Sequence, residues 1–302
     1  MGIVEDRIEA ALRTALARTR HGPAPAQLAE AMEYAVLGGG ARMRPRLVLA
    51  VAQACRAGPG EAAADGAAVD AAAAAIEFMH CASLVHDDLP CFDDADMRRG
   101  RPSVHRAYGE PIAVLVGDGL IVLAFETLLA AASSRRPELV AQLVGILARA
   151  VGMPHGIVAG QGWESEATID LAAYHRAKTG ALFMASAELG SAVAGHRSAA
   201  SATHGWAAFG CRLGEAYQVA DDLADAVTAA SDTGKPAGQD IAHDRPSHVR
   251  EHGIEASVSR LRALIAAAIE AIPDCPGRDD LCAVVQRETA RFMPRSLAQC
   301  AA

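Results

Sequence analysis

Apolar residues recur at three- and four-residue spacing along almost the whole chain, alanine fills many positions between them, and alternating β-branched runs are rare. That spacing matches the turn of an α-helix rather than the two-residue pleat of a strand, and alanine is the strongest helix former. An all-α fold is therefore predicted. Glycine, proline and small polar residues cluster at 38–40, 57–66, 135–137, around Gly195, at 231–246 and at 273–277, which marks the breaks between helices. None of these breaks has the length of an interdomain linker, so residues 1–302 are expected to form a single domain. The alanine run 71–75 leads straight into Ile76, Phe78 and Met79, as in a tightly packed central helix.

Composition narrows the function. The 302 residues are 51% hydrophobic and 21% charged, enough to bury a sizeable core, and the net charge of -8 excludes a general polyanion binder. No nucleic-acid partner is expected. Seven cysteines lie scattered as far as Cys300 without paired spacing, the usage of reduced thiols, which predicts a cytoplasmic location. The first twenty residues alternate acidic and basic groups with apolar ones and lack the apolar block of a signal peptide, and Asp6 spoils a myristoylation motif. The most apolar stretch, Pro111 to Ala132, carries Asp118 and Glu126. Each is expensive in lipid, so this segment is expected to be a buried core helix and no membrane span is predicted.

The segment HDDLPCFDDADMRRGRPSVH, from His86 to His105, places several aspartates at the end of an apolar run and two arginines directly after them. A solvated charged face is the ordinary origin of such a run. It fits poorly here, because Ser83, Leu84 and Val85 precede the acids and Leu89, Cys91 and Phe92 intervene. Carboxylates packed beside a buried helix cost stability unless a cation neutralises them, and oxygen donors without cysteine favour magnesium. A second cluster, YQVADDLADAV, sets Asp221 and Asp225 four apart on one helical face. Two such walls facing across a cavity would bridge through magnesium to a diphosphate. Basic groups follow both clusters: Arg98 and Arg99 the first, Lys235 the second, with Lys178 and Thr179 between them in YHRAKTGALF. GGGARMRPR supplies Arg42, Arg44 and Arg46 at the start of a helix. Its glycines suit either a helix C-cap or a phosphate-binding turn.

In this order GGGARMRP, DDLPCFDDADMRRGRP, AKTGALF, YQVADDLAD and GKPAGQD resemble the trans-isoprenyl diphosphate synthases over roughly residues 30 to 250. The four residues between Asp88 and Asp93, with GQGWESEATIDLAAYHRAKTG, look most like the bacterial geranylgeranyl diphosphate synthases of carotenoid pathways. The resemblance implies a helical bundle around a deep hydrophobic cavity (the isoprenoid synthase fold), a homodimer, and three magnesium ions. It implies condensation of isopentenyl diphosphate with an allylic diphosphate, with geranylgeranyl diphosphate the expected product. Carried onto this chain, Asp87, Asp93 and Asp221 become the principal metal ligands, with Asp88, Asp222 and Asp225 in support. On a straight helix Asp94 aligns with Asp87 better than Asp93 does, and Pro90 can distort the turn, so both remain open. Isopentenyl diphosphate is expected at Arg44, His80 and Arg99, the allylic diphosphate at Arg98, Lys178 and Lys235, and the reacting carbon beside Lys178, Thr179 and Gln218.

Three positions depart from the family pattern. Ala41 stands where a lysine is usual, which either lowers affinity for isopentenyl diphosphate or leaves Arg42 or Arg46 to compensate. The Gln-x-x-Asp motif appears as Gln161 and Glu164, and Arg245 replaces a lysine. Product length is expected to follow the turns before Asp87: Ala82 and Ser83 are too small to close the cavity, and Phe78 with Met79 would floor it one turn deeper. The competing readings are a farnesyl diphosphate synthase, a terpene cyclase, which also uses an Asp-rich motif, and a non-catalytic partner subunit of an active synthase.

Overall fold

A computed structural model describes residues 2–56, 66–131, 137–195, 200–227 and 248–292. Among them the expected helices form: α1 (Ile3–Leu16), α2 (Ala26–Leu37), α3 (Met43–Ala54) and α4 (Gly66–Asp87) are followed by the short α5 (Val104–Tyr108) and the long α6 (Glu110–Ala131). Then come α7 (Pro137–Val151), α8 (Ile157–Trp163), α9 (Leu171–His175), α10 (Ala181–Val193), α11 (Ala200–Val227), α12 (His248–Glu270) and α13 (Arg278–Thr289). Helix α4 is the centre. The small side chains of its alanine run let α6, α3 and α10 approach closely, and Ala71 to Ala75 are all buried. Phe78 and Met79, at the next turn, are buried too. Truncating a side chain such as Phe78 to Ala should cost about 3–5 kcal/mol, because the rigid surroundings leave a cavity.

Two apolar clusters flank the centre. One gathers side chains of α1, α2, α4, α6 and α7; the other gathers those of α3, α10, α11, α12 and α13 around Trp206 and Phe209. Between them opens a cavity of about 730 Å³, lined both by charged residues and by the apolar Met79, Ile121, Val151, Ile157 and Leu182.

Two local features depart from the all-helical expectation. Met97–Arg98 pairs antiparallel with Arg101–Pro102, joined by Arg99 and Gly100 at φ of 53° and 72°. Two consecutive positive φ values make the tight turn that matches strand twist. The second is a π-helical turn, Arg176–Gly180, inserted before α10. Such wide turns recur where a helix must redirect functional side chains.

The expectation that 111–132 is buried core holds for one face only. Val114, Leu115, Val122 and Leu129 of α6 are exposed, the last two at 56% each. Among the described residues two helices, α4 and α6, are long and apolar enough to cross a membrane by length and composition, and α4 is mostly buried inside the protein.

Candidate active site

The carboxylates arrive from two helix ends. Helix α4 stops at Asp87, and the turns that follow fold back on it: the Asp93 amide donates to the Asp87 carbonyl at 2.9 Å, and the Ala95 amide to the Asp88 carbonyl at 3.2 Å. This wrapped turn carries Asp87 and Asp93 to the cavity wall. Asp94, at φ 45°, turns outward to Arg106 at 3.2 Å, so Asp93 is the cavity-facing partner of Asp87. Across the cavity Asp221 and Asp225 project from α11. Helix α4 stops at Asp87, just before Pro90, so straight-helix spacing does not set which aspartate faces the cavity.

Asp88 and Asp222, expected as supporting metal ligands, do not line this cavity. Asp88 is buried and binds the Arg98 guanidinium, whose Nε lies at 2.9 Å from Oδ1. Burial pushes the Asp88 carboxyl above its ordinary range, with Arg98 pulling the other way. Asp222, likewise raised by burial, accepts from the His248 amide at 2.8 Å and from Gln218 Nε2 at 3.0 Å. The second aspartate of each pair is thus a strut for a neighbouring functional group. The physical reason is helical: adjacent residues point about 100° apart and cannot share one wall.

Gln218 in turn accepts the Thr179 hydroxyl at 2.7 Å, so the predicted trio around the reacting carbon is assembled except for Lys178. Lys178 is held separately. Its Nζ lies 3.5 Å from Asp87 and donates to Glu164, which also accepts from the Tyr174 hydroxyl at 2.7 Å and Gln161 Nε2 at 2.9 Å. Glu164 therefore has a defined place as the holder of Lys178. A Cβ at Gly160 would sit 2.5 Å from the Lys178 Cα, so α8 can reach the π turn only with glycine there. Tyr174 was not anticipated as a site residue; its position four before Lys178 was the available signal.

The cationic end is built from GGGARMRPR. Gly39 and Gly40 have φ of 91° and 121°, and a Cβ at Gly40 would meet the Arg99 guanidinium at 2.7 Å. Beyond capping α2, these glycines make room for Arg99, whose Nη1 donates to the Gly39 carbonyl at 2.6 Å. Arg44 is buried, its guanidinium 4.7 Å from the Phe183 ring centre, and its Nε has no hydrogen-bond partner among the described residues. Beside it, burial and then the positive Arg44 and Arg99 hold His80 well below its ordinary range, so the imidazole is neutral at neutral pH. Arg44, His80, Arg98 and Arg99 all line the cavity.

Both arginines offered as substitutes for the missing lysine are ion-paired within the protein. Arg42 binds Glu9 and Glu77, and Arg46 binds Glu5. Ala41 is exposed at the cavity mouth with open room. Ala41→Lys should therefore lower the KM for isopentenyl diphosphate with little change in kcat, since a charge-assisted contact made in ground and transition states alike acts on KM. Initial-rate kinetics at saturating allylic substrate check this; an unchanged KM would mean Arg44 and Arg99 already saturate the diphosphate.

The chain-length residues divide by face. Met79, Ala82 and Ser83 line the cavity, whereas Phe78 does not, because it points into the packed core beside α4. Of the two residues expected to floor the cavity, Met79 lines it. Lys235 and Arg245 lie outside the described residues.

Known proteins match this arrangement. The family model for polyprenyl synthetase matches residues 25–278. The geranylgeranyl diphosphate synthase of Cereibacter sphaeroides is 53% identical over 294 residues, covering 97% of this chain and 98% of that one. That of Rhodobacter capsulatus is 48% identical over 290 residues, 96% of each chain. A crystal structure of Helicobacter pylori geranyltransferase complexed with magnesium and isoprenyl diphosphate superposes with a TM-score of 0.78 at 26% identity, over 96% of this chain and 99% of that one. With its paired aspartate walls, its arginine cluster and matches of this extent, the chain belongs to the polyprenyl synthetase family.

Proposed function

We propose that the chain is a geranylgeranyl diphosphate synthase, which extends allylic diphosphates with isopentenyl diphosphate up to twenty carbons. The observation that carries this reading is one cavity lined by aspartates from the end of α4 and from α11, by Arg44, Arg98 and Arg99, and by apolar side chains. Two diphosphate sites at one mouth suit joining two substrates, whereas a terpene cyclase needs one. The relatives' names support the product, and residues 1–302 are taken as one synthase domain.

The donor set fits magnesium: Asp87, Asp93, Asp221 and Asp225 offer carboxylate oxygens and no thiolate. No group of three metal-type side chains converges among the described residues, so the diphosphate itself would complete the coordination, with three ions as the family resemblance implies. When bound, magnesium supplies charge neutralisation that makes diphosphate a good leaving group. Arg44, Arg99 and neutral His80 bind isopentenyl diphosphate and set its double bond toward the allylic carbon. Lys178, together with Arg98 and Lys235, holds the allylic diphosphate. The Thr179 and Gln218 dipoles lie beside the carbon that becomes positive, and the apolar wall excludes water from it.

Incubating the pure chain with isopentenyl diphosphate, an allylic primer and Mg²⁺, then separating the dephosphorylated products, tests the reading. A twenty-carbon alcohol is expected. A fifteen-carbon alcohol would mean a farnesyl diphosphate synthase, a cyclic hydrocarbon a cyclase, and no product a partner subunit.

A cytoplasmic homodimer completes the proposal. The exposed apolar stripe of α6, with Val114, Leu115, Val122 and Leu129, is what a second copy of the same helix would cover. Val122→Glu/Leu129→Glu should shift the sedimentation coefficient from dimer to monomer, since each like-charged pair meets itself across a two-fold axis; an unmoved coefficient would place the interface elsewhere.

A further inference from the structure

The guanidinium of Arg42 is held from three directions. Its Nε donates to Glu9 of α1 at 2.9 Å, Nη1 to Glu77 of α4 at 2.7 Å, and Nη2 to the Val36 carbonyl near the end of α2 at 2.7 Å. Arg42 is 5% exposed and Glu77 1%. The backbone at Arg42 is left-handed, φ 51° and ψ 34°, which a residue with a side chain adopts only when its surroundings hold it there. That residue is also the cap of α3: its carbonyl accepts the Arg46 amide at 3.0 Å, and α3 starts at Met43, so Arg44 is the second residue of the helix. On α4, Glu77 and His80 are three apart and share a face. One ion triad therefore ties the turn that launches Arg44 to the helix that carries His80.

We infer that Arg42 is a positioning residue for isopentenyl diphosphate binding: the Glu9–Arg42–Glu77 triad fixes the left-handed turn that aims Arg44 into the cavity beside His80. This rests on the assignment of Arg44 to isopentenyl diphosphate. With Nε, Nη1 and Nη2 each donating inside the protein, the guanidinium of Arg42 is held in place although the residue borders the cavity, and it acts through Arg44. A planar fork meeting three acceptors defines a direction, which a single ammonium cannot do. That is a reason for arginine here apart from charge, in a chain where Ala41 has removed the neighbouring cation.

The experiment is a double-mutant cycle on the full chain, with KM for each substrate and kcat measured separately. Arg44→Ala should raise the KM for isopentenyl diphosphate and leave that for the allylic substrate near wild type. Arg42→Lys, which keeps the charge but loses the fork, should raise the KM for isopentenyl diphosphate by about tenfold, with kcat and the allylic KM changed less than about twofold. In the Arg44→Ala background the same Arg42→Lys change should add nothing. Glu9→Gln, at the more exposed side of the triad, should disturb folding less than Arg42→Lys and give the same selectivity at about twofold to threefold. Independent multiplication of the two KM effects would make Arg42 a direct ligand and overturn the proposal. So would folded Arg42→Lys and Glu9→Gln variants with unchanged KM, or an equal rise for both substrates. An Arg44→Ala variant that binds isopentenyl diphosphate normally would remove the site assignment and the proposal with it. A selective Arg44→Ala beside a silent Arg42→Lys would remove the proposal alone.

Discussion

Asp87→Ala and Asp221→Ala are each expected to lower turnover by about a thousandfold or more, with helical content by circular dichroism unchanged. Both side chains line the cavity, so each substitution removes a hard oxygen ligand rather than a packing group. Loss of metal-assisted charge stabilisation amounts to several kcal/mol, and about 1.4 kcal/mol is tenfold in rate. EDTA should stop the reaction, and added Mg²⁺ should restore it. The informative contrast is Asp88→Ala. That carboxylate is buried against Arg98, so its removal strands a guanidinium and should cost about 3–5 kcal/mol of stability, read as a lower melting temperature. Near wild-type turnover of Asp87→Ala in magnesium would remove Asp87 from the metal site. A thermally unaltered Asp88→Ala would remove the strut.

The other large effect concerns product length. Ser83 lines the cavity about one helical turn, roughly 5.4 Å, before Asp87 and is only partly buried. Ser83→Phe should fill the channel there and move the main product from twenty to fifteen carbons while the metal site stays intact. Ala82 also touches the cavity but is almost wholly buried, so Ala82→Phe should give the same shift with an overpacking cost of about 1–3 kcal/mol. Phe78→Ala should leave product length alone, since that ring faces the core; Met79→Ala should lengthen the product. Chromatography of the dephosphorylated alcohols from folded variants is the measurement. An unchanged twenty-carbon product from an active Ser83→Phe variant would mean that the growing chain runs along another wall.

The helical class, the break at 38–40, the central alanine helix and the two aspartate clusters were legible in the chain, because they depend on short-range periodicity and residue type, whereas the breaks expected at 57–65 and 231–246 lie outside the described residues. Recognition of the site types rested on the same local motifs. What a linear reading missed lies where the backbone leaves regular geometry. Asp93 was named from the family motif, but that it and not Asp94 faces the cavity depends on a turn folded back around Pro90, and the Arg99 position on a hairpin turn with two positive φ values. The orientation of Lys178 depends on a π turn that Gly160 makes room for.

Partnership was the other thing that only tertiary structure decided. Asp88 and Asp222 read like their neighbours in the sequence, yet burial gives each a fixed donor and turns it away from the cavity. Arg42 and Arg46 read as spare cations, until the acids of α1 and α4 are brought against them. Sequence by itself determined which residue types were present and how they repeat along a helix, since propensity and periodicity act within a few residues. Only the folded chain decided which charges remain available to a substrate, because a buried charge must find its partner, and that partner lies far away along the chain.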